Sequence, residues 1–342
     1  MTMTPEVSVI IPTYNRRAMV REAVTSVLSQ RDANFELIVV DDGSTDGTSD
    51  MLAELEGISL VRIEHRGVAS ARNHGVALAN APLIAFLDSD DLWAPDKLRR
   101  QLAFMREHRE CMISQTQEIW IRDGRRVNPG LRHRKRAGDI FLDSLRTCLI
   151  SPSAVMMRSE LFRSLGGFDE DLLAAEDYDL WLRILVEHKV GLLEEPLMTR
   201  RAGHADQLSA STPAIDRYRV RALMKLLAND RVSETKRIAT IEVLIEKCGI
   251  LATGARRRGR MNEANLYNEV VSAASGWKIA PDEILIEMTS MIRGLLVGAF
   301  REAPATMPQS PRPGRLRIRE HLHRPVIAAG RSRTTPTREG AR

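Results

Sequence analysis

The chain has 342 residues, 43% hydrophobic and 28% charged, which suits a globular protein able to bury a large core. Its formal charge of +5 is uneven: residues 301–342 hold ten Arg against three Glu, a net +7, leaving the remainder near −2. Three distant cysteines, Cys111, Cys148 and Cys248, exclude a disulfide framework and a zinc-type ligand spacing, and no run of 18 apolar residues exists to span a bilayer.

Val7-Ser8-Val9-Ile10-Ile11-Pro12 is a β-branched run closed by proline, hence a buried strand that must turn at its end. After the polar loop Thr13-Tyr14-Asn15, two i+4 rows, Met19/Ala23/Val27 and Val20/Val24/Leu28, form the apolar stripe of a helix. Phe35 to Val40 is a second strand ending in Asp41-Asp42-Gly43-Ser44, with Ser44 or Asp46 available to cap the next helix. Ile58 to Ile63 is a third strand, and a helix runs from Gly67 to about Asn80.

Leu83 to Leu87 is a fourth, apolar strand, and three carboxylates follow it in Asp88-Ser89-Asp90-Asp91. If the strand continued, Asp88 and Asp90 would share a face and Ser89 would point away. Carboxylates this close repel unless a cation lies among them, and an all-oxygen set suits Mg²⁺ or Mn²⁺. The plainer alternative is a strand–turn–helix junction with Asp91 as a cap near Pro95. Four alternations of strand and helix with short connections argue a doubly wound, mostly parallel α/β sheet, whose ligands bind at the carboxyl ends of the strands. Thr13, Asp41 and Asp88 stand at those ends.

Further along, Pro95 fits the first turn of a helix burying Leu98, Leu102 and Met105. Cys111 to Ile121 is strand-like with a hairpin signal at Asp123-Gly124, and Leu131 to Arg136 reads as a solvated basic loop. Asp139 to Leu149 reads as a helix, Ala154 to Met157 as a strand, and Val190 to Leu193 as a last short strand. Glu176-Asp177 opens a helix that buries Trp181, Leu182, Leu185 and Val186; acids there suit the helix dipole and could equally be caps. After Pro213 the pattern is helical only, over Ile215–Asn229, Glu234–Arg257, Glu263–Ala274 and Glu283–Ala299. From Pro304 the Pro-, Arg- and Ser-rich composition predicts disorder. The expected division is therefore 5–212, a helical region 213–300, and a basic tail 301–342.

Five stretches occur in order: Ser8 to Arg16, Val39 to Asp46, Ala71-Arg72-Asn73, Asp88-Ser89-Asp90-Asp91 and Glu176-Asp177. Together they resemble the family-2 glycosyltransferases and their GT-A fold, over roughly residues 5–210. The resemblance implies that Pro12, Thr13, Tyr14 and Asp41 hold the nucleotide base and ribose, and that Arg72 lies near the base or phosphates. It implies Asp88 and Asp90 as the Asp-x-Asp motif, with Asp91 and His204 beside the metal, and Asp177 as the catalytic base of an inverting displacement. Mn²⁺ or Mg²⁺ would then be the cofactor, a nucleotide-diphosphate sugar (above all a UDP-sugar) the donor, and a glycan, lipid or protein hydroxyl the acceptor, in the assembly of a surface polysaccharide, lipid or protein glycan. Neither the Gln-x-x-Arg-Trp motif nor the membrane helices of the processive members occur, so a single transfer is expected.

Other classes compete. A metal-dependent nucleotidyltransferase would share the acids but usually opens on a Gly-rich phosphate loop. A non-catalytic nucleotide-sugar-binding protein would be expected to lack one of the acids. The Arg-rich tail lacks the interleaved aromatics of a nucleic-acid binder. Reduced thiols, and a start (Met1 to Glu6) without a basic n-region, predict a cytoplasmic protein. The apolar positions Ile284, Leu285, Met288, Met291, Ile292 and Leu295, with the tail beyond them, suggest peripheral contact with the inner face of the membrane.

Overall fold

The computed structural model describes residues 4–128, 130, 133–203, 214–277 and 326–327. Strands β1 (Val7–Thr13), β2 (Asn34–Asp41), β3 (Ser59–Arg62) and β4 (Leu83–Phe86) pair in parallel in the order β3-β2-β1-β4. Helices α1 (Arg17–Leu28), α2 (Thr48–Ala53) and α3 (Val68–Leu78) connect them. Side-chain alternation divides the core into two layers. Ile10, Ile38, Val40, Ile84 and Phe86 face one side, while Val9, Ile11, Leu37, Val39 and Ala85 face the other with α1. Gly75 lets α3 lie against β1, since a Cβ there would come within 2.5 Å of Ile10 Cγ2.

Beyond β4 the sheet becomes mixed. After β5 (Leu92–Trp93) and α4 (Lys97–Glu107) come β6 (Ile113–Arg122), β7 (Arg125–Val127) and α5 (Phe141–Arg146). Then follow β8 (Val155–Arg158), α6 (Ser159–Ser164), α7 (Glu176–Leu185) and β9 (Val190–Ala202). β8 lies antiparallel between β4 and β6, β9 is parallel to β6, and β5 is antiparallel to β9. The hairpin expected at Asp123-Gly124 is present as β6–β7.

Several local expectations differ. The last strand runs 13 residues rather than four, because register shifts between Thr116 and Glu118 pass over Glu194, Glu195 and Leu197 and pair Pro196 with Gln117, although Glu194-Glu195-Pro196 reads as a break in sequence. The 139–149 helix shortens to α5. Pro95 precedes α4, and a two-residue strand, β5, fills the space between the acids and that helix. Lys135, in the loop expected to be solvated, is buried: its Nζ donates to Leu149 O at 3.0 Å and Ser151 Oγ at 2.7 Å, and pairs with Glu118 at 3.2 Å.

Helices α8 (Asp216–Leu227), α9 (Glu234–Arg257) and α10 (Met261–Trp277) follow, and Leu223 and Leu244 share one core with Trp181 and Leu182 of α7. The helical region thus buttresses α7. The helix expected at 283–299 lies outside the described residues, as does the tail except Val326–Ile327, the strand β10, which pairs antiparallel with β2. Among the described residues no helix is long and apolar enough to cross a membrane.

Two buried charges make predictions. Asp179, two residues after Asp177, is buried and meets Arg183 at 2.8 Å and Lys225 at 2.9 Å. Asp179→Asn takes the counter-charge from Arg183, while Lys225 keeps Asp169 at 2.6 Å, and should cost about 1–3 kcal/mol in urea unfolding; a loss near zero would show the pairs to be energetically idle. Lys97 is fully buried, its Nζ 2.6 Å from Gln101 Oε1 and 4.2 Å from the Trp93 ring centroid, and burial lowers its pKa to about 7. Because the unfolded chain binds that proton more readily, wild-type stability rises with pH between about 7 and the ordinary lysine value of 10.5. Lys97→Met should therefore raise the melting temperature more at pH 6 than at pH 9; an equal shift at both would refute the assignment.

Candidate active site

The carboxyl ends of the parallel strands gather the expected residues. Pro12 and Thr13 close β1, both buried, and Asp41 closes β2 directly beside Thr13 in register. Asp41 Oδ1 accepts from Ser44 N at 3.0 Å; Asp41 Oδ2 and Thr13 Oγ1 are buried with no hydrogen-bond partner among the described residues. Arg62 approaches Asp41 only to 3.8 Å. Tyr14 is 41% exposed, and one face of its ring stacks on His65 at 3.9 Å between centroids. His65 in turn bonds Asp42 Oδ2 at 2.8 Å, and Arg66 N and Gly67 N donate to the same carboxylate. Asp42 therefore holds the loop before α3, while Asp41 keeps an oxygen available. Of the two residues expected to cap α2, Asp46 bonds its first residue, Oδ1 accepting from Thr48 N at 3.0 Å, whereas Ser44 Oγ accepts from Asn15 N at 2.8 Å.

The acids after β4 do not continue a strand. β4 ends at Phe86, and Asp91 N donates to Asp88 O at 3.0 Å, closing a turn. The turn, rather than strand alternation, brings Asp88, Asp90 and Asp91 together, one carboxylate oxygen of each within 4.8 Å of the others. Ser89 is buried as well. Ser153, which nothing in the sequence marks, ties the turn: its Oγ accepts from Asp88 N at 3.0 Å and donates to Asp91 Oδ2 at 2.7 Å. Asp91 Oδ1 accepts from Arg201 N at 3.0 Å. Burial, then the charges of Asp90 and Asp88, push the Asp91 carboxyl well above its ordinary range, against Ser153 and Arg201. A compact set of three carboxylates of this kind fits a hard divalent cation. His204 lies outside the described residues.

Arg72 is not the surface cation that its place on a helix would allow. It is buried, with Nη2 donating to Asp88 Oδ1 and Nη1 to Glu176 Oε1, each at 2.6 Å, and its guanidinium lies 5.1 Å from the Phe168 ring centroid. Burial opposes its charge, but the two carboxylates outweigh this and raise its pKa. Glu176 is also buried, and desolvation pushes it up to about 7 despite Arg72, with Asp177 adding to the rise. Arg72 thereby joins the acid turn to the first turn of α7.

The entry to α7 is set by tertiary contacts. Ala175 has φ 59°, an uncommon conformation for a residue with a Cβ, and no side chain caps the helix. Asn73 grips the preceding loop, its Oδ1 accepting from Phe168 N and its Nδ2 donating to Phe168 O, both at 2.9 Å. Asp177 is half-buried; its Oδ1 accepts from Tyr178 N at 2.7 Å, and Cys148 Sγ lies 3.6 Å from its Oδ2. Burial first, then the Asp177 charge, pushes the Cys148 thiol up. Cys111 and Cys248 are free thiols too.

On β9 Arg200 stacks on Trp120, 4.9 Å from the ring centroid, and Glu118 accepts from Trp120 Nε1 at 2.7 Å. Burial lowers the Arg200 pKa, but the charges of Glu118, Asp91, Asp88 and Asp177 together raise it. Sequence reasoning missed Arg200 and Ser153, whose partners are remote in the chain.

The sequence matches Glycosyl transferase family 2 over residues 8–166. It is 36% identical over 195 residues to an uncharacterized glycosyltransferase of Rickettsia felis, covering 56% of this chain but 32% of that protein, so it spans about a third of that relative's length. It is 33% identical over 190 residues to the UDP-Glc:alpha-D-GlcNAc-diphosphoundecaprenol beta-1,3-glucosyltransferase WfgD of Escherichia coli, covering 55% of this chain and 72% of WfgD. S. aureus TarS 1-349, solved in complex with UDP, has a TM-score of 0.61 at 19% identity, over 88% of this chain and 93% of TarS 1-349. Mannosyltransferase PcManGT from Pyrobaculum calidifontis, in complex with GDP-Man and Mn²⁺, has a TM-score of 0.54 at 21% identity, over 90% and 89% of the two chains. The structural likenesses support the GT-A fold. On sequence, with WfgD matched over 72% of its length, the chain belongs to glycosyl transferase family 2.

Proposed function

We propose that this protein moves a single sugar from a nucleoside-diphosphate sugar to an acceptor hydroxyl, with inversion at the anomeric carbon. The observation that supports the reading is the Arg72 bridge, which ties Asp88 of the acid turn to Glu176, the neighbour of Asp177 at the start of α7. Thr13 Oγ1 and Asp41 Oδ2, buried and without a hydrogen-bond partner among the described residues, would supply a donor and an acceptor for a nucleotide base or ribose, with the exposed Tyr14 next in the chain. Asp90, Asp88 and Asp91 would hold Mn²⁺ or Mg²⁺, which when bound neutralises charge on the departing diphosphate. Asp177 accepts the proton of the acceptor hydroxyl as its oxygen bonds to the anomeric carbon and the bond to the diphosphate oxygen breaks. Glu176, locked against Arg72, orients that helix end instead of taking part in proton transfer.

Residues 5–212 would carry this chemistry, with α8 of the following helical region packed against α7. The single-transfer character rests on the missing processive motif, and a UDP-sugar donor on the names of the relatives. The test incubates the full chain with a panel of UDP-, GDP- and dTDP-sugars, with and without Mn²⁺. Metal-dependent release of nucleoside diphosphate from one donor is expected; no release or binding for any of them would defeat the proposal.

A further inference from the structure

The β6–β7 hairpin carries an arrangement that stability alone disfavours. Arg122 and Arg125 stand directly opposite each other in the antiparallel pair, so two guanidinium groups project from one face. Both are exposed, and neither has an ion pair among the described residues. The one acid between Arg122 and Val127 is Asp123, at the turn. Like charges facing each other across a ladder are destabilising, and a Thr or Gln at either position would remove the cost.

The face that carries this pair leads toward Asp177. Two residues back along the ladder Trp120 opposes Val127, and in the parallel pairing with β9 it opposes Arg200, whose guanidinium lies over its ring. Trp120 Nε1 donates to Glu118, Glu118 pairs with Lys135, and Lys135 donates to Leu149 O, next in the chain to Cys148, whose thiol touches Asp177. The β9 backbone reaches the acid turn at the neighbouring residue, where Arg201 N donates to Asp91. Arg200 accordingly feels the charges of Asp88, Asp91 and Asp177. From Arg200 to Arg122 is one strand across, about 5 Å, and two residues along, about 7 Å, and Arg125 is one strand further. A row of three cations thus leads from beside the acid turn to the rim of the hairpin. The other face differs: Arg201 is bound there to Glu22 and to Asp90 O, and Arg126 opposes Ile121.

We propose that Arg122 and Arg125, continuing from Arg200, bind the acceptor, and that the acceptor is a phosphate-bearing molecule whose anionic group lies on this row when its hydroxyl meets Asp177. Paired guanidinium groups fit a doubly charged phosphate group better than a single carboxylate, since each offers a fork of N–H donors, and the bound charge cancels the repulsion between them. An anionic membrane would need only the exposed cations; continuity with Arg200, half-buried over Trp120, favours a substrate that enters the site. The inference rests on the glycosyltransferase reading and names the acceptor class within it.

Calorimetry on the full chain tests this with octyl diphosphate, in metal-free buffer so that the acid turn cannot hold the probe through a cation. Wild type should bind it, and the double variant Arg122→Gln/Arg125→Gln should bind it about tenfold or more weakly. Arg126→Gln removes an exposed charge from the opposite face of the same hairpin and should change nothing. The double variant should melt at the wild-type temperature or above, because repulsion is relieved. A lower melting temperature would show the pair to be structural and overturn the proposal. So would no binding by wild type, equal binding by the double variant, or an equal loss in Arg126→Gln. Vesicles of phosphatidylcholine with and without phosphatidylglycerol form the second arm: a double variant that loses the anionic vesicles but keeps octyl diphosphate assigns the pair to a membrane and defeats the acceptor inference. If wild type releases nucleoside diphosphate from no donor, the glycosyltransferase reading fails and takes this inference with it. If it does release one and the double variant binds octyl diphosphate as wild type does, only the acceptor inference fails.

Discussion

Asp177→Asn should lower transfer to the acceptor by about 10²–10⁴-fold, the usual contribution of a positioned general base. An acceptor hydroxyl is a weak nucleophile, and Asp177 is a half-buried carboxylate with one oxygen beside the thiol of Cys148 and the other on its own helix end. The amide is nearly isosteric, and its oxygen can still accept from Tyr178 N, so the helix start survives while the proton acceptor is lost. Nucleotide and metal binding should be nearly intact, because Thr13, Asp41 and the acid turn are elsewhere. Calorimetry with UDP and Mn²⁺, run beside the transfer assay, separates the two effects. Near-normal transfer, or loss only through unfolding, would move the base elsewhere. Glu176 would be next, though its bond to Arg72 and its burial argue against it.

A second large effect is expected at Asp90. Asp90→Asn removes one of three carboxylates from the cluster and should abolish Mn²⁺-dependent turnover, with Mn²⁺ affinity falling by about tenfold or more. Stability should be unchanged or higher: the variant gives up one partly exposed pair with Arg16 but relieves repulsion that helps to push Asp91 up. Full activity in this variant, or Mn²⁺ binding equal to wild type, would remove Asp90 from the metal site. Asp91 behaves differently because its carboxylate also holds Ser153 and the Arg201 backbone, so a loss there would mix folding with chemistry.

Much of the parallel half was legible from the chain. Short apolar runs and short connections in Val7–Thr13, Asn34–Asp41 and Leu83–Phe86 are local signals, and the structure returns them within a residue or two. The mixed half was read less well. Its longest strand is interrupted in sequence by Glu194-Glu195-Pro196, and only the neighbouring β6, by shifting register, shows how the strand continues. Local pattern does not report such compensation between segments that are remote in sequence.

The same division holds for the site. The sequence by itself determined which acids are present, their order, and that they follow apolar strands; carboxylates at strand ends are visible because the chemistry is carried by residue type. It could not show that Asp88, Asp90 and Asp91 converge through a turn, since a strand reading sends neighbouring side chains to opposite faces. Nor could it show that Arg72 is buried between Asp88 and Glu176, 16 and 104 residues away, that Asp179 is committed to Arg183 and Lys225, or that Ser153 ties the acid turn. Those roles depend on distances between remote segments, and a side chain's charge environment exists only once packing has removed the water around it.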